Sequence, residues 1–463
     1  MNTPLWMNIS TFNLDEPISE YGFSTRLARE NNWPAGFTQQ AIFEYKKFMY
    51  LAATSGAMVS PSPVVDVVWH QHLIFTESYA ALCSLTGKWI QHIPSTHTHA
   101  EADKFRQAAD RTKELYNNQF GEQPQEIWNY ETPFESLQLP RAAWDFRKCI
   151  QVAPFVFAAL IFPFYYLLKP LYIHIDNPYF LYGYIPLFVL VFTGLYVYNQ
   201  SVLESIADSF DATAFVRHLH PAELVYLKTQ DLHAVIHGTM DQLVRDGRVA
   251  VTSDRSLQLA YNGGTGSIEE ITVCQAINSG QVSYPILLRQ LEHKPVFTRI
   301  AGAMDAFREY FIQSKAFGKV FYLNVCVLSV VWMLGLIRFL TGITRDKPVV
   351  LIALVTLAIL VAVSLFLRNL STLFCTSTIP NLYRTHILPA QEYAPGLDWN
   401  YFLLGTAMLS PQFSPVVMDT TGNGGSSFDG SWGSSSFDGS ADGGGSSCGS
   451  GCGSSCGGCG GGD

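Results

Sequence analysis

Residues 349–367 read VVLIALVTLAILVAVSLFL, and no Asp, Glu, Lys or Arg interrupts this run. A helix of about 20 apolar residues crosses the hydrocarbon core of a bilayer, which is roughly 30 Å thick. Lipid offers no hydrogen-bond partners to a backbone, so an apolar segment of this length adopts a helix in which the amides are bonded internally. The stretch therefore predicts a membrane-spanning helix.

Three further stretches have the same character, at residues 152–168, 179–198 and 320–343. Short links at 169–178 and 344–348 join the four stretches into two hairpins. The first stretch is short and contains two prolines, so a buried core helix is the alternative interpretation for it. We expect four spans in all, with the lipid bilayer as their surroundings.

Composition supports a membrane protein. Hydrophobic residues make up 48% of the 463 residues and charged residues 14%, about half the share of charge that is usual in soluble domains. The net charge is −9 and the chain has no long basic run. Binding to nucleic acid depends on neutralising phosphates, so the sequence predicts no nucleic-acid partner.

Basic residues gather at one end of each predicted hairpin. They lie before the first span, before the third and after the fourth: Arg141, Arg147, Lys148, Arg299, Arg308, Lys315, Lys319, Arg368 and Arg384. Cytoplasmic segments next to spans are enriched in Lys and Arg. The pattern predicts that both termini and the segment between the hairpins are cytoplasmic. Arg338, near the end of the third span, is expected to extend towards the membrane interface.

The sequence outside the spans divides into soluble parts. The predicted fold class is mainly α, a four-span helical membrane protein with these parts: a soluble helical domain at 1–148, a transmembrane hairpin at 152–198, a winged-helix-like α+β domain at 199–317, a second hairpin at 318–368, a juxtamembrane segment at 369–421 and a tail at 422–463. The tail is almost entirely Gly, Ser, Asp and Cys. It cannot bury enough apolar surface to offset the entropy lost on ordering, so we expect it to be disordered.

Helix signals dominate the N-terminal part. Ser62-Pro63 is a helix start, because serine accepts hydrogen bonds from free amides and proline fits the first turn. The apolar pattern after it predicts one helix that stops at Gly87. Amphipathic helices are also predicted at 37–53 and 101–120.

The middle part has the element order of a winged helix. Pro221 begins a helix, residues 232–246 predict a second, and residues 248–251 predict a strand, with a turn signal at 262–264. Acidic residues outnumber basic ones in this part, which disfavours DNA binding. We expect the unit to serve in packing or protein contact.

A cluster of histidines is the densest group of chemically active residues. Asp66 and His70 are four residues apart, which puts both on one face of a helix, and His92 follows in a later loop. Imidazole and carboxylate are common zinc ligands, so the three residues form a candidate metal site. His72 points away from His70. The alternative is that these histidines hydrogen-bond within the domain.

Nine cysteines are present, and four of them lie in the tail at Cys448, Cys452, Cys456 and Cys459. Four thiolates are suited to a soft metal such as zinc or copper(I). The alternative is a glycine-rich, low-complexity tail that carries cysteines without binding metal. The other five cysteines are scattered, which does not indicate a disulfide framework.

Residues 30–130 resemble the glycine-rich domain-containing protein family. The resemblance rests on a signature block and its continuation: Pro61-Ser62-Pro63, Val65-Asp66, Val68-Trp69-His70, His72-Leu73, Thr76, Tyr79, Cys83, Gly87, His92, Pro94, Phe105, Tyr116, Phe120-Gly121, Pro124 and Ile127-Trp128. That family has no established catalytic activity, so the resemblance implies no enzymatic role.

The chain from about residue 200 onwards resembles a family of uncharacterised bacterial membrane proteins with a Gly/Cys-rich tail. The segment HPAELVYL at 220–227 carries the resemblance. Lys228-Thr229 stands where that family has a glycine pair. The resemblance implies a multi-pass protein of the bacterial inner membrane.

Together these features predict a membrane-anchored protein–protein interaction or assembly module that is not an enzyme, with a protein partner. The alternative is a metal-binding or metal-dependent hydrolytic protein that uses Asp66, His70 and His92. No organic cofactor is predicted, and zinc or copper is the metal that these ligands would take.

Overall fold

A computed structural model describes residues 2–93, 99–143, 146–261, 266–277, 280–390 and 396–422. Within them the fold is mainly helical with few strands, as expected. The tail with its four cysteines, and the turn signal at 262–264, lie outside the described residues.

Helices joined by loops make up the described residues of the N-terminal part. Its helices are α1 (Thr3–Thr11), α2 (Phe23–Asn31), α3 (Ala35–Thr54), α4 (Pro63–Ile74), α5 (Thr76–Thr86), α6 (His99–Phe120) and α7 (Gln125–Trp128), followed by a 3₁₀ turn at Pro133–Leu137. Their inner faces share a core with large aromatic residues at its centre: Phe23, Tyr45, Phe48, Tyr50, Tyr79 and Tyr116. The helices predicted at 37–53 and 101–120 correspond to α3 and α6.

The Ser62-Pro63 helix start is confirmed, but the single helix expected to follow it is wrong. The Ser62 side chain accepts a hydrogen bond from the Val65 amide at 3.2 Å, and Pro63 is the first helical residue. The chain then leaves helical geometry at Phe75, where α4 ends and α5 begins. The Phe75 ring packs edge-on against Phe23 of α2, with ring centroids 5.6 Å apart.

The first hairpin consists of α8 (Phe146–Tyr172) and α9 (Asn177–Asp208). Both are long and apolar enough to cross a membrane. The most apolar part of α8 has no residue buried inside the protein, so the alternative of a buried core helix is wrong. Its internal prolines are tolerated in membrane helices, where neighbouring groups satisfy the freed carbonyls.

The middle part has helices around a small sheet. A 3₁₀ turn at Phe215–Arg217 precedes α10 (Pro221–Thr229), α11 (Leu232–Arg245), β1 (Val249–Val251), β2 (Ser256–Leu259), α12 (Ile268–Ile277), β3 (Val282–Ser283), α13 (Tyr284–Leu291) and α14 (Pro295–Ile312). The strand order is β1-β2-β3, and both pairings are antiparallel. Val249 pairs with Leu259, and Leu257 with Val282.

The second hairpin consists of α15 (Lys315–Ile343) and α16 (Val350–Leu373). The helix continues beyond α16 through a π-helical turn at Phe374–Thr378, α17 (Ile379–Leu382) and a second π-helical turn at Tyr383–Ile387. The described chain ends with α18 (Leu397–Leu404), a 3₁₀ turn at Gly405–Met408 and α19 (Ser414–Gly422). All four predicted spans thus correspond to helices that can cross a membrane.

Three of the four long helices, α8, α9 and α16, pack around the fourth, α15. Polar contacts between buried side chains and neighbouring helices stabilise this bundle. The side-chain amides of Asn199 and Asn324 donate to each other at 3.0 and 2.7 Å, and both residues are buried. Arg338 is also buried, and its guanidinium donates to the carbonyls of Tyr172 and Ile175 at 2.5 Å. Arg338 therefore binds the link between α8 and α9 and is shielded from solvent by the protein.

The N-terminal and middle parts are joined to each other and to the bundle of long helices. One hydrophobic core runs from the middle part into α9, α15 and α16, and includes the stacked rings of Phe311 and Phe374, whose centroids lie 3.7 Å apart. The N-terminal part docks on the middle part through α2 and α14. Glu223 of α10 accepts a hydrogen bond from the Ala35 amide at 2.7 Å, which caps α3 from the neighbouring part.

Candidate metal site

Helix α4 aligns two of the three candidate ligands. Asp66 and His70 lie one helical turn apart, so their side chains share a face. The His70 Nε2 atom is 3.4 Å from Asp66 Oδ2. The helix begins at the Ser62 cap, which fixes its first turn and so the position of Asp66.

The chain after α5 brings in the third ligand. His92 Nε2 lies 2.9 Å from Asp66 Oδ1, and the His70 and His92 rings meet edge-to-face with centroids 4.4 Å apart. The indole of Trp69 donates to the Tyr79 hydroxyl at 3.1 Å, and that hydroxyl donates to the Ile90 carbonyl. These two hydrogen bonds hold the segment that carries His92 against α4.

The three side chains offer ligand atoms that all lie within 4.8 Å of one another. Two ligands of a tetrahedral zinc ion, each about 2.0–2.1 Å from the metal, lie roughly 3.4 Å apart. Small side-chain adjustments therefore suffice to surround an ion. The His70 side chain is 47% exposed, while Asp66 and His92 are more buried. A metal held here has three protein ligands and a side open to solvent.

His72 has a structural role and stands apart from the cluster, as the helical spacing predicts. It is buried on the opposite face of α4, where Nδ1 lies 2.8 Å from the Tyr45 hydroxyl and Nε2 lies 3.0 Å from Ser78 Oγ. Burial lowers the pKa of His72 to about 4. The ring is therefore neutral at pH 7 and works as a hydrogen-bond bridge in the core.

Sequence reasoning missed a second polar cluster in this part. Glu44 is buried on α3, and its carboxylate accepts from the Tyr116 hydroxyl at 2.7 Å and the Trp128 indole at 2.9 Å. Lys47 pairs with the same carboxylate at 2.8 Å. Because this buried charge is fully partnered, the cluster stabilises the packing of α3, α6 and α7. The i,i+3 spacing of Glu44 and Lys47 was the available sequence signal.

The cysteines do not extend the metal site within the described residues. Cys83, Cys274 and Cys375 are buried free thiols, and Cys326 is a free thiol exposed on α15. The tail cysteines predicted as soft-metal ligands, Cys448, Cys452, Cys456 and Cys459, lie outside the described residues.

Protein-family models, curated proteins and solved structures give no match to this chain. The two family resemblances noted in the sequence stay predictions.

Proposed function

We propose that this protein is a membrane-anchored metal-binding protein, which holds a Zn²⁺ ion through Asp66, His70 and His92. The convergence of these three side chains carries the proposal. Asp66 and His70 come from one helix and His92 from a later segment, yet their ligand atoms lie within 4.8 Å of one another. Two imidazoles and a carboxylate suit zinc, which accepts nitrogen and oxygen ligands without a strong geometric preference.

The solvent-exposed side of the site helps to distinguish a structural zinc ion from one that binds water or substrate. Structural zinc sites are closed by four protein ligands, whereas sites that act on other molecules keep one position for water or substrate. His70 lies at the surface, so the fourth position is open to solvent. A water held there would be more acidic than bulk water, which makes metal-dependent hydrolysis the chemistry to examine once metal binding is established.

The competing interpretation of the cluster is a metal-free hydrogen bond. Asp66 accepts from His92 at 2.9 Å if that ring nitrogen carries its proton, and this contact alone would orient the imidazole. The two interpretations differ in the need for His70. A metal site requires it as a ligand, whereas the hydrogen bond between Asp66 and His92 does not.

Elemental mass spectrometry of the full-length protein in detergent tests the proposal. We expect about one zinc per chain in the wild type and in a variant that ends at residue 422. We expect little metal in His70→Ala, with thermal unfolding close to wild type after metal is removed. His293→Ala is the matched control, because His293 is a highly exposed histidine of the middle part.

The outcomes separate the interpretations. Equal metal content in His70→Ala and His293→Ala would reject the site. Metal that disappears only when residues 423–463 are removed would assign it to the tail cysteines. No metal in any variant would leave the metal-free hydrogen bond in place.

A second function, assembly of a protein partner at the membrane, is supported by a different observation. Large apolar side chains are exposed on the N-terminal part near the end of α5 and after it, with Trp89 60% and Ile93 53% exposed. We propose that they contact a protein partner. Lysine-reactive cross-linking in intact membranes should join Lys88 to another protein in the wild type. Trp89→Glu should abolish this cross-link without lowering the unfolding temperature.

We infer that the soluble parts lie on the cytoplasmic side of a bacterial inner membrane, which the basic residues around the spans support. The pair α10 and α11 followed by the β1–β2 hairpin supports a winged-helix-like unit used for packing. Reporter fusions after residue 422 and within the 344–348 link should report opposite sides of the membrane.

A further inference from the structure

A cavity of about 380 Å³ lies where three parts of the chain meet. Helices α2 and α3 of the N-terminal part form one wall, and α10, α11, α12 and α14 of the middle part form most of the rest. Helix α18, from the C-terminal segment, closes one side through Asp398 and Tyr401. The volume falls in the range of pockets that take small organic ligands.

Acidic side chains dominate the charge of this cavity. Its walls carry the carboxylates of Glu223, Glu269, Glu270 and Asp398. The one arginine in the wall, Arg299, is already paired with Glu269. Arg248, beside the cavity, pairs with Glu270 at 2.8 Å. Four carboxylates therefore face two guanidinium groups, and the remaining negative charge favours a cation.

Two of the carboxylates retain free acceptor oxygens. Arg248 donates to Oε2 of Glu270 at 2.8 Å, and Oε1 has no hydrogen-bond partner within the described residues. Asp398 is exposed, and its side chain has no ion pair or hydrogen bond in the described part of the chain. Glu223 differs, because its two oxygens accept from the amides of Ala35 and His220 at 2.7 and 2.8 Å.

The pKa values of three carboxylates in the cavity wall are shifted from their usual range, as is common at binding sites. Burial raises the pKa of both Glu223 and Glu270. For Glu269, burial acts in the same direction, but the Arg299 guanidinium outweighs it and the pKa is lowered.

The walls also offer an aromatic face and an unused hydroxyl. The Tyr401 ring lies against Gly238 of α11, where a Cβ atom would come within 2.9 Å of the ring. Its hydroxyl donates to the Ala234 carbonyl at 2.9 Å, which fixes the ring in the wall. Thr25 of α2 also lines the cavity and is fully buried, and its Oγ1 has no hydrogen-bond partner within the described residues. Aromatic faces attract cations, and a buried hydroxyl without a partner is costly.

We propose that this cavity binds a small organic cation, a primary amine or diamine, whose ammonium group is held by Asp398 and the free oxygen of Glu270. The alkyl chain lies against Tyr401 and reaches the wall formed by Thr25. Such a ligand touches the N-terminal part, the middle part and α18 at once. Its binding therefore stabilises their association, because it binds only the assembled state.

Isothermal titration calorimetry of the full-length protein in detergent tests the proposal, with 1,4-diaminobutane as the probe. EDTA in the buffer and a parallel titration of His70→Ala distinguish binding in the cavity from coordination of the amine to a metal at the Asp66, His70 and His92 site. We expect Asp398→Asn to weaken binding about tenfold or more, as loss of a charged hydrogen bond does. The matched control is Asp110→Asn on the exposed side of α6, which should leave Kd unchanged.

Neutral and anionic probes test the assignment of charge. Butane-1,4-diol and butyrate should give no measurable binding. Thr25→Val, which keeps the shape of the side chain, should weaken diamine binding and raise the unfolding temperature of the unliganded protein. The proposal is overturned if the diamine does not bind the wild type, if Asp398→Asn and Asp110→Asn give equal Kd, if butyrate binds as tightly as the diamine, or if Thr25→Val leaves Kd unchanged.

Discussion

His70 and His72 lie two residues apart on α4 and have opposite environments. His70 is at the surface beside Asp66 and His92, whereas His72 is enclosed by Tyr45 and Ser78. The helix alone produces this difference, because residues two apart point to nearly opposite sides. At the scale of single residues, His70 is therefore accessible to a metal ion, whereas both ring nitrogens of His72 are used in hydrogen bonds within the core.

The buried histidine predicts how stability depends on pH. The pKa of His72 is lowered by burial to about 4, below the value of about 6.5 in the unfolded chain. The stability that the folded state gains from the neutral, hydrogen-bonded His72 ring is therefore complete above pH 6.5 and is lost as the pH falls towards 4. The loss amounts to about 3 kcal/mol, because one pKa unit corresponds to about 1.4 kcal/mol.

Hydrogen exchange of the α4 peptides in EDTA, compared at pH 7 and pH 5 after correction for the intrinsic rate, measures this effect. Protection should decrease at pH 5 in the wild type. His72→Gln keeps hydrogen-bonding capacity and does not titrate, so it should show nearly the same protection at both pH values. A wild type with no pH dependence would contradict the assignment.

At the scale of elements, the long apolar helices could be predicted from the sequence, whereas some helix ends could not. An uninterrupted apolar run such as residues 349–367 has one stable form in lipid, so its helix follows from composition alone. The end of α4 at Phe75 depends on a distant partner, the Phe23 ring, and no local residue signals it. In the same way, the spacing of Asp66 and His70 was visible in the sequence, but the walls of the amine cavity come from helices far apart in the chain.

The Asn199 and Asn324 pair predicts how the two hairpins hold together. Replacing Asn199 by Leu removes both mutual hydrogen bonds, although the Asn324 amide keeps its bond to the Val320 carbonyl at 2.8 Å. We expect a cost of about 1 kcal/mol, typical of hydrogen bonds between membrane helices.

Thermal unfolding in detergent of Asn199→Leu, Asn324→Leu and the double variant gives the coupling energy. The double variant should be more stable than the sum of the single changes predicts, because neither amide is then left without its partner. Strict additivity would show that the two amides do not interact.

At the scale of the whole molecule, the middle part shares one core with the long helices α9, α15 and α16. Phe311 belongs to α14 of the middle part, and Phe374 begins the extension of α16, yet their rings stack almost parallel with centroids 3.7 Å apart. Both residues are fully buried. A disturbance at this contact should therefore reach the membrane bundle and the middle part together.

Phe374→Ala tests this coupling. Removing a buried phenylalanine ring costs about 3–5 kcal/mol, and we expect faster hydrogen exchange in both α14 and α16. Leu354→Ala is the control, because Leu354 lies on α16 but its side chain is 60% exposed. If only the α16 peptides respond to Phe374→Ala, the two parts unfold independently.

The contact between Glu223 and the start of α3 has a consequence for biosynthesis. The acceptor lies 188 residues after the Ala35 amide that it binds, so the ribosome completes α3 long before its cap exists. At about 5–20 residues per second, the interval is roughly 10 to 40 s. The first turn of α3 stays open throughout that time, and the first hairpin is synthesised within it. The N-terminal part reaches its final form only after the chain has begun to enter the membrane.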